Sequence, residues 1–226
     1  MKHLKITVIL ILFGGVLFGQ DYYNTHLKDS LQPWQKEIAV KEKKDIVDYY
    51  LLLPEYFLEH DSKGSYVDSK EWRLKSSWDG SLKINRENGY LESQKDAWIK
   101  IALFKDTINH RDIIGFVKNG CCPPVQAWCE YGFIEFDEVN QNWNDLYDIF
   151  PWGYVYSKCE EQIEKLKRKM EKQLERPLSD EELVDYYSIP VIVLPEYGTI
   201  VKVVDDCIPD VILGIVKWNG QKFETQ

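Results

Sequence analysis

Five cysteines are the residues whose type and spacing most directly suggest chemistry, at Cys121, Cys122, Cys129, Cys159 and Cys207. In an oxidising compartment such residues form disulfides, and an odd number leaves one thiol over. We expect Cys159 to pair with Cys207. We expect Cys129 to pair with Cys121 or Cys122, because a bridge between adjacent cysteines distorts the peptide that joins them. The alternative is a metal or redox site built from the first three cysteines, but the chain has neither a C-x-x-C motif nor a histidine at ligand spacing.

Acid–base catalysis would depend on histidines or on paired carboxylates. His60 and His110 lie in polar stretches, which predict solvated loops. A glycosidase needs two carboxylates about 5–9.5 Å apart across a cleft, and the candidates for such a pair are Asp137, Asp145 and Asp148. The sequence holds no G-x-S-x-G elbow, EF-hand loop or glycine-rich phosphate loop. The motifs therefore predict no catalytic residue, no metal ligand and no cofactor.

Aromatic side chains are the third group that could bind a ligand, because the chain contains 8 Trp and 14 Tyr. Trp143 and Trp152 fall near predicted strand ends, where exposed rings could stack on a sugar or on a protein surface. The alternative is that both rings lie in the core, where the aromatic residues of a β domain usually pack. We treat Trp143 and Trp152 as possible ligand-facing aromatics.

The first 19 residues have the three parts of a secretory signal peptide. Lys2 and Lys5 precede an apolar run at residues 6–18, and Gly19 stands before Gln20. The run is shorter than the roughly 20 residues that a membrane-spanning helix needs, so an uncleaved anchor is the less favoured alternative. We expect cleavage between Gly19 and Gln20, followed by export to the periplasm or the cell exterior.

The remaining chain is acidic and rich enough in apolar residues to form a core. Loss of Lys2 and Lys5 would leave 26 of the 28 basic residues against 37 acidic ones. That balance argues against binding to nucleic acid, which needs clustered Lys and Arg, and against electrostatic attachment to anionic lipid. Hydrophobic residues make up 44 % of the chain. We expect residues 20–226 to form a single domain with a flexible lead-in at 20–33 and no membrane span.

Periodicity in the first half of the chain predicts one helix followed by strands. Residues 34–53 are expected to be helical, because Ile46, Tyr49, Tyr50 and Leu53 fall on one helix face, and Pro54 ends the pattern. Alternating apolar residues then predict strands at the positions 97–104, 112–118, 126–137 and 143–150.

The second half of the chain predicts a helical segment between strands. Residues 159–175 carry one apolar stripe, and Ser179 with Glu182 has the spacing of a capping box for a second short helix ending near 187. Strands are expected at 191–194, 199–204, 211–218 and 221–224. Asn219-Gly220 predicts a tight hairpin between the last two. We interpret residues 159–187 as a helical insertion that covers a face or an edge of a sheet.

Several short phrases resemble those of the small secreted proteins that are common in Bacteroidota. They are Phe18-Gly19-Gln20, Tyr50-Leu51-Leu52-Leu53-Pro54, Asn88-Gly89-Tyr90-Leu91 and Trp218-Asn219-Gly220-Gln221-Lys222-Phe223. The resemblance covers most of the chain after the leader and implies the envelope or the exterior of a Gram-negative cell. It brings no catalytic residues, because no activity is established for these proteins.

Together these features predict an α+β fold of mainly antiparallel sheet, with an N-terminal helix and the helical insertion near 159–187. The function we expect is that of an exported, non-catalytic binding or interaction module whose partner is a protein or a glycan. The alternative is an envelope hydrolase that uses paired carboxylates. An exposed apolar or aromatic patch would favour binding, whereas a pocket of ionisable side chains with shifted pKa values would favour hydrolysis.

Overall fold

The chain forms two antiparallel sheets with helices, which confirms the predicted α+β class. The computed structural model describes residues 24–58, 68–75, 82–94, 98–119, 129–179, 190–205 and 211–226. The signal peptide predicted at 1–19 and the short helix predicted after Ser179 lie outside these residues. None of the described helices is both long enough and apolar enough to cross a membrane.

The first sheet is a meander in which each of six strands pairs with the next one in sequence. Its strands are β1 (Leu82–Asn85), β2 (Tyr90–Gln94), β3 (Trp98–Asp106), β4 (Arg111–Asn119), β5 (Cys129–Asp137) and β6 (Asn142–Asp145). The hairpin of β3 and β4 is the one that the alternation at 97–104 and 112–118 predicts, because side chains point alternately to the two faces of a strand. The strand predicted at 143–150 is shorter, since a 3-10 turn replaces it at Tyr147–Ile149.

Two hairpins of this sheet share one turn chemistry. In the β3–β4 turn, the carboxylate of Asp106 accepts hydrogen bonds from the N–H groups of Ile108 and Asn109 and from the Asn109 side chain. In the β5–β6 turn, Asp137 accepts the equivalent bonds from the N–H groups at 139 and 140 and from the Asn140 side chain. The residue that follows each asparagine has a positive φ, 54° at His110 and 52° at Gln141. An acid three residues before an asparagine therefore closes both turns through Asx-type bonds.

The second sheet is a four-stranded meander formed by β7 (Pro190–Val193), β8 (Ile200–Asp205), β9 (Ile212–Trp218) and β10 (Phe223–Thr225). The β9–β10 turn is the hairpin that Asn219-Gly220 predicts. Its Asn219 side chain accepts hydrogen bonds from the N–H groups of Gln221 and Lys222, both at 3.0 Å. Gly220 adopts a φ of 98°, which is accessible to glycine at little cost.

The helix predicted at 34–53 is divided into α1 (Pro33–Ala39) and α2 (Ile46–Leu52), which are followed by a 3-10 turn at Glu55–Phe57. Asp45 has extended backbone angles and accepts hydrogen bonds from the N–H groups of Val47 and Asp48, at 2.8 and 3.0 Å. Asp45 therefore caps the N-terminus of a separate helix rather than continuing one. A further short helix, α3, spans Lys70–Leu74.

The longest helix, α4 (Trp152–Leu174), starts well before the position 159 that was predicted for it. It begins directly after Pro151, and its first turns bury Trp152, Val155 and Cys159. In the chain it stands between β6 and β7, and so links the two sheets. The predicted insertion is therefore a connection between sheets, and not a break within one of them.

Two cores lie on the opposite faces of the first sheet. On one face, the side chains of α1 and α2, including Ile46, Tyr50 and Leu52, pack on Ile101 and Phe116 of the sheet. On the other face, the second sheet and the start of α4 pack on β3 to β5. The layers are thus helices, first sheet, and second sheet with α4. Among the described residues, the first sheet is covered on both faces and the second sheet on one.

Residues 24–33 differ from the flexible lead-in that was expected there. Leu27 is 2 % exposed, and its carbonyl accepts a 3.0 Å hydrogen bond from the backbone N–H of Trp143, which lies in the edge strand β6. The ammonium of Lys28 donates to the carbonyl of Trp143 at 2.8 Å and to the side chain of Asn144 at 2.7 Å. The segment is fixed because it provides partners for an edge strand whose backbone groups would otherwise be unpaired.

Candidate functional site

The second sheet has one buried face and one exposed face. Val201, Val203 and Val216 are fully buried against the first sheet, and Trp218 is 4 % exposed. Residues that alternate with them point the other way. We define this outer face by nine residues: Val191, Val193, Ile200, Lys202, Val204, Ile212, Ile215, Lys217 and Glu224.

The strand register brings the aliphatic members of the outer face together. Val204 of β8 lies between Val191 of β7 and Ile212 of β9. Six of the nine residues are Val or Ile. Val193, Ile200 and Ile212 are 43 %, 42 % and 52 % exposed. Such a surface departs from the usual antiparallel sheet, whose solvent face is polar.

Two lysines lie within this apolar surface. Lys202 is paired across the strands with Val193 and Ile215, and Lys217 lies between Ile200 and Glu224. Neither lysine forms an ion pair with any residue in the described ranges, and the ion pair that Glu224 makes is with Lys222, at 3.8 Å. The outer face therefore offers aliphatic contact area and two unpaired positive charges. This arrangement can bind a partner through apolar contact and through charge.

A second candidate is a groove of about 490 Å³ at the edge where the β1–β2, β7–β8 and β9–β10 turns meet. Its two cations are already engaged, since Arg86 pairs with Asp45 and Lys105 pairs with Asp112 at 3.1 Å. The Trp218 indole at its base donates to the Lys105 carbonyl at 3.0 Å and is almost fully buried. The positively charged groups of the groove are therefore already paired within the protein, whereas the two lysines of the outer face are not.

The carboxylates that were the candidates for a hydrolase lie apart from the groove and from a second pocket beside it. Asp137 is engaged in its turn, where hydrogen bonds, chiefly from the N–H of Asn140, hold its pKa below the usual value. Asp145 lies in β6 opposite Ile134, and Asp148 lies in a 3-10 turn. None of the three lines the groove or the adjoining pocket around Asp106. The lowered pKa of Asp137 is therefore a consequence of the hydrogen bonds in its turn. Structural hydrogen bonds shift pKa values just as catalytic sites do, so this shift does not mark a catalytic carboxylate.

Trp143 and Trp152 are core residues, which corrects the expectation that they face a ligand. Trp143 is 1 % exposed, and its indole N–H donates to the Leu52 carbonyl at 3.0 Å. Trp152 is 6 % exposed and donates to the Tyr147 carbonyl at 2.9 Å. They belong to the two different cores, one on each side of the first sheet. In both cores the apolar ring is removed from water and its single donor, the indole N–H, is hydrogen-bonded, so burial of the indole is favourable.

The predicted disulfides fall largely outside the described residues. Cys159 is buried in α4, at 5 % exposure, while its expected partner Cys207 is not described. Cys121 and Cys122 are also outside the described ranges, and Cys129 starts β5. No disulfide joins two described residues, and both pairings stay predictions. The cleavage site predicted between Gly19 and Gln20 and the loop predicted around His60 also lie outside the described residues, and both stay predictions.

The sequence reasoning missed a cluster on the helix-covered face of the first sheet. The ammonium of Lys118 lies 3.7 Å from the centre of the Tyr56 ring, donates to the Tyr56 carbonyl at 2.7 Å, and lies 3.9 Å from a carboxylate oxygen of Glu130. The Tyr56 hydroxyl donates to Glu130, and His26 stacks on the Tyr56 ring at 4.2 Å. Sequence gives no signal for this cluster, because its members lie up to about a hundred residues apart. Within the described ranges, no three His, Cys, Asp or Glu side chains are arranged to hold a metal.

Comparison with known proteins identifies no similar protein, so the functional conclusion depends on the fold and the outer face. No family model matches the chain, and no curated protein or solved structure gives a significant match.

Proposed function

We propose that this chain is an exported, non-catalytic protein-binding module, and that the outer face of the second sheet is its binding surface. The observation that carries the proposal is the exposure of Val193, Ile200 and Ile212, each more than two-fifths exposed, on a sheet face built mainly from Val and Ile. Contiguous apolar surface is rare on isolated soluble proteins and marks interaction sites. Exposing these side chains gives the isolated molecule no benefit, whereas burying a Val or Ile completely is worth about 1.5–3 kcal/mol.

The composition of the outer face favours a protein over a glycan as the partner. Sugars are held by flat aromatic rings and by hydrogen-bonding side chains, and the outer face has no aromatic residue. The aromatic residues of the same sheet, Trp218 and Phe223, are 4 % and 5 % exposed and point into the core. Branched aliphatic side chains instead match the apolar centre of a protein–protein interface.

Export is supported by the leader, since Lys2 and Lys5 precede an apolar run and Gly19 precedes Gln20. An acidic domain that is released into the periplasm or the exterior agrees with the excess of acidic over basic residues. N-terminal sequencing of the protein recovered from those fractions should find Gln20 at the first position. Recovery of the chain from the cytosol with Met1 still attached would contradict this part of the proposal.

A photo-crosslinking amino acid at position 212 tests the binding surface in the cell that produces the protein. We expect a protein adduct from Ile212 and none from Val139, which is 90 % exposed in the β5–β6 turn and serves as the matched control. Adding Val193→Ser and Ile200→Ser should abolish the adduct, whereas adding Ile108→Ser should not. Equal labelling from positions 212 and 139 would refute the surface. An adduct that contains sugar would replace the protein partner with a glycan.

A further inference from the structure

We infer that the outer face receives a single amphipathic helix of the partner protein, with acidic side chains beside its apolar stripe. This inference rests on the proposed function, and it specifies the partner by chemistry. Three observations carry it: the dimensions of the outer face, its charge, and the way in which helices of the same molecule cover one face of the first sheet.

The dimensions of the outer face match one short helix. From Ile200 to Val204, β8 advances four residues, or about 14 Å at roughly 3.4 Å per residue. The three strands β7, β8 and β9 cover two inter-strand spacings of about 4.8 Å each, and the side chains widen this surface further. A helix is about 10–12 Å across and rises about 1.5 Å per residue, so some nine or ten residues cover the surface.

The first sheet shows how this molecule covers an aliphatic sheet face. There the apolar residues of α1 and α2 pack on the alternating Ile and Phe residues of β3 and β4. The corresponding layer over the second sheet is not formed by α4, because its Tyr154 ring packs beside Gly214 on the buried side of the sheet. A helix laid on the outer face would give the second sheet the same kind of layer, anchored by residues spaced i, i+3, i+4 and i+7.

The lysines define the charge of the incoming helix. On the covered face of the first sheet, Lys118 is met by the Tyr56 carbonyl at 2.7 Å and by Glu130 at 3.9 Å. Lys202 and Lys217 have no such acceptors within the described residues. Burying an unpaired ammonium is costly, so a partner that covers the outer face must supply carboxylates beside its apolar stripe.

A second copy of this chain fits the same surface poorly. Two outer faces packed together would bring four ammonium groups into one interface, from Lys202 and Lys217 of each copy, against only two carboxylates, from Glu224 of each copy. Each exported copy, with 26 basic and 37 acidic residues, also carries a net charge of −11, which disfavours approach. Like charges that face one another across an interface disfavour binding.

Two stapled twelve-residue helical peptides test the inference, with identical leucine stripes and with either Glu or Lys beside the stripe. We would titrate each into the ¹⁵N-labelled protein and follow the amide signals of β7, β8 and β9 by NMR. The Glu peptide should shift outer-face signals and bind at least tenfold more tightly than the Lys peptide. The double variant Lys202→Glu/Lys217→Glu should reverse this preference. The same exchange at Lys165 and Lys169, which are exposed on α4 and have no ion pair among the described residues, should leave the preference unchanged.

Equal binding of the two peptides, or shifts confined to other parts of the chain, would overturn the acidic helix. Loss of the preference is also informative only if the variants fold, so thermal unfolding of each variant is measured first. An Ile212 crosslink to a protein partner combined with no peptide binding would refute the helix and leave the proposed function standing. A concentration-dependent dimer that Ile212→Ser abolishes, seen by sedimentation, would replace the helix with a second copy.

Discussion

The guanidinium of Arg73 is the most completely enclosed charge among the described residues, at 0 % exposure. It donates two hydrogen bonds of 2.7 Å to the Asp68 carboxylate, and further bonds to the carbonyls of Leu51 at 3.0 Å and Leu53 at 2.7 Å. The last two carbonyls lie at the C-terminal end of α2, where a helix has no internal donors for them. One side chain thus fixes both α3 and the end of α2.

Replacing Arg73 with Ala should lower the free energy of unfolding by about 3–5 kcal/mol, because the buried Asp68 carboxylate would lose its partner. Equilibrium unfolding in urea measures this loss. The control is Arg86→Ala, since Arg86 is a largely exposed partner of Asp45 and such pairs are worth about 0–1 kcal/mol. Similar losses in the two variants would show that Arg73 does not hold these elements together.

Asp106 should make stability depend on acid pH. Burial acts to raise its pKa, but hydrogen bonds from the Asn109 side chain and N–H, from Arg111 and from the Ile108 N–H outweigh burial and hold the pKa far below its usual value. A depressed pKa in the folded state adds stability above the unfolded pKa of about 3.9, and this stability is lost as the pH falls towards the folded pKa.

The variant Asp106→Asn should therefore be less stable than the wild type at pH 7, and the difference should shrink between about pH 5 and pH 2. Urea unfolding at a series of pH values measures the difference. Asp137→Asn is the matched control in the sister turn, where the residue is half-buried, unlike the buried Asp106, and the effect should be smaller. A difference between wild type and Asp106→Asn that stays constant with pH would contradict the assignment.

Among the elements, the two sheets are held close together at Gly115 of β4. A methyl group there would lie 2.9 Å from Leu194 Cδ2, 3.0 Å from Phe133 Cε1 and 3.1 Å from Phe104 Cε2. These are core atoms with little room to move, so Gly115→Ala should separate the sheets and cost about 1–3 kcal/mol. Thermal and urea unfolding measure the loss.

The control for Gly115→Ala is Gly153→Ala, at the start of α4. A methyl group at Gly153 meets nothing within 4 Å, and alanine is the better helix former by about 1 kcal/mol. Gly153→Ala should leave stability unchanged or raise it slightly. If Gly115→Ala were equally harmless, the sheets would not be packed as tightly as the structure shows.

The elements show where sequence reasoning succeeds and where it fails. The β3–β4 hairpin and the Asn219-Gly220 turn could be predicted, because alternation and turn chemistry are local properties. The start of α4 could not, because Gly153 and the aromatic and branched residues of its first turns have modest helix propensity and are held by tertiary packing. The separation of α1 from α2 also escaped prediction, although the five consecutive charged residues at 41–45 interrupt the apolar spacing and Asp45 stands at the N-cap position of the second helix.

The outer face shows why the candidate site was beyond the sequence. Residues 191–194 and 211–216 read as short apolar runs, which usually indicate strands buried on both faces. An uncovered outer face gives the same pattern, and only the arrangement of layers distinguishes the two cases. The reverse error affects Trp143 and Trp152, whose positions near strand ends suggested exposure although both lie in cores.

On the scale of the whole molecule, the two sheets share one aromatic core. The ring of Phe223, from the last strand, lies 5.0 Å from Phe104, 4.6 Å from Phe133 and 5.3 Å from Phe150. Phe104 and Phe133 belong to the first sheet, so the second sheet cannot separate without exposing rings of both. We therefore expect the two sheets to unfold together.

Phe223→Ala should lower the free energy of unfolding by about 3–5 kcal/mol, the usual cost of removing a buried ring, and should keep a single transition. Far-UV circular dichroism and tryptophan fluorescence in urea measure this, because Trp143 reports on the core beneath α2 and Trp218 on the core between the sheets. Val139→Ala, in an exposed turn, should change stability by less than about 0.5 kcal/mol. If the two signals separated in Phe223→Ala, with the fluorescence of one core persisting after the other was lost, the sheets would be independent folding units and the shared core would not bind them.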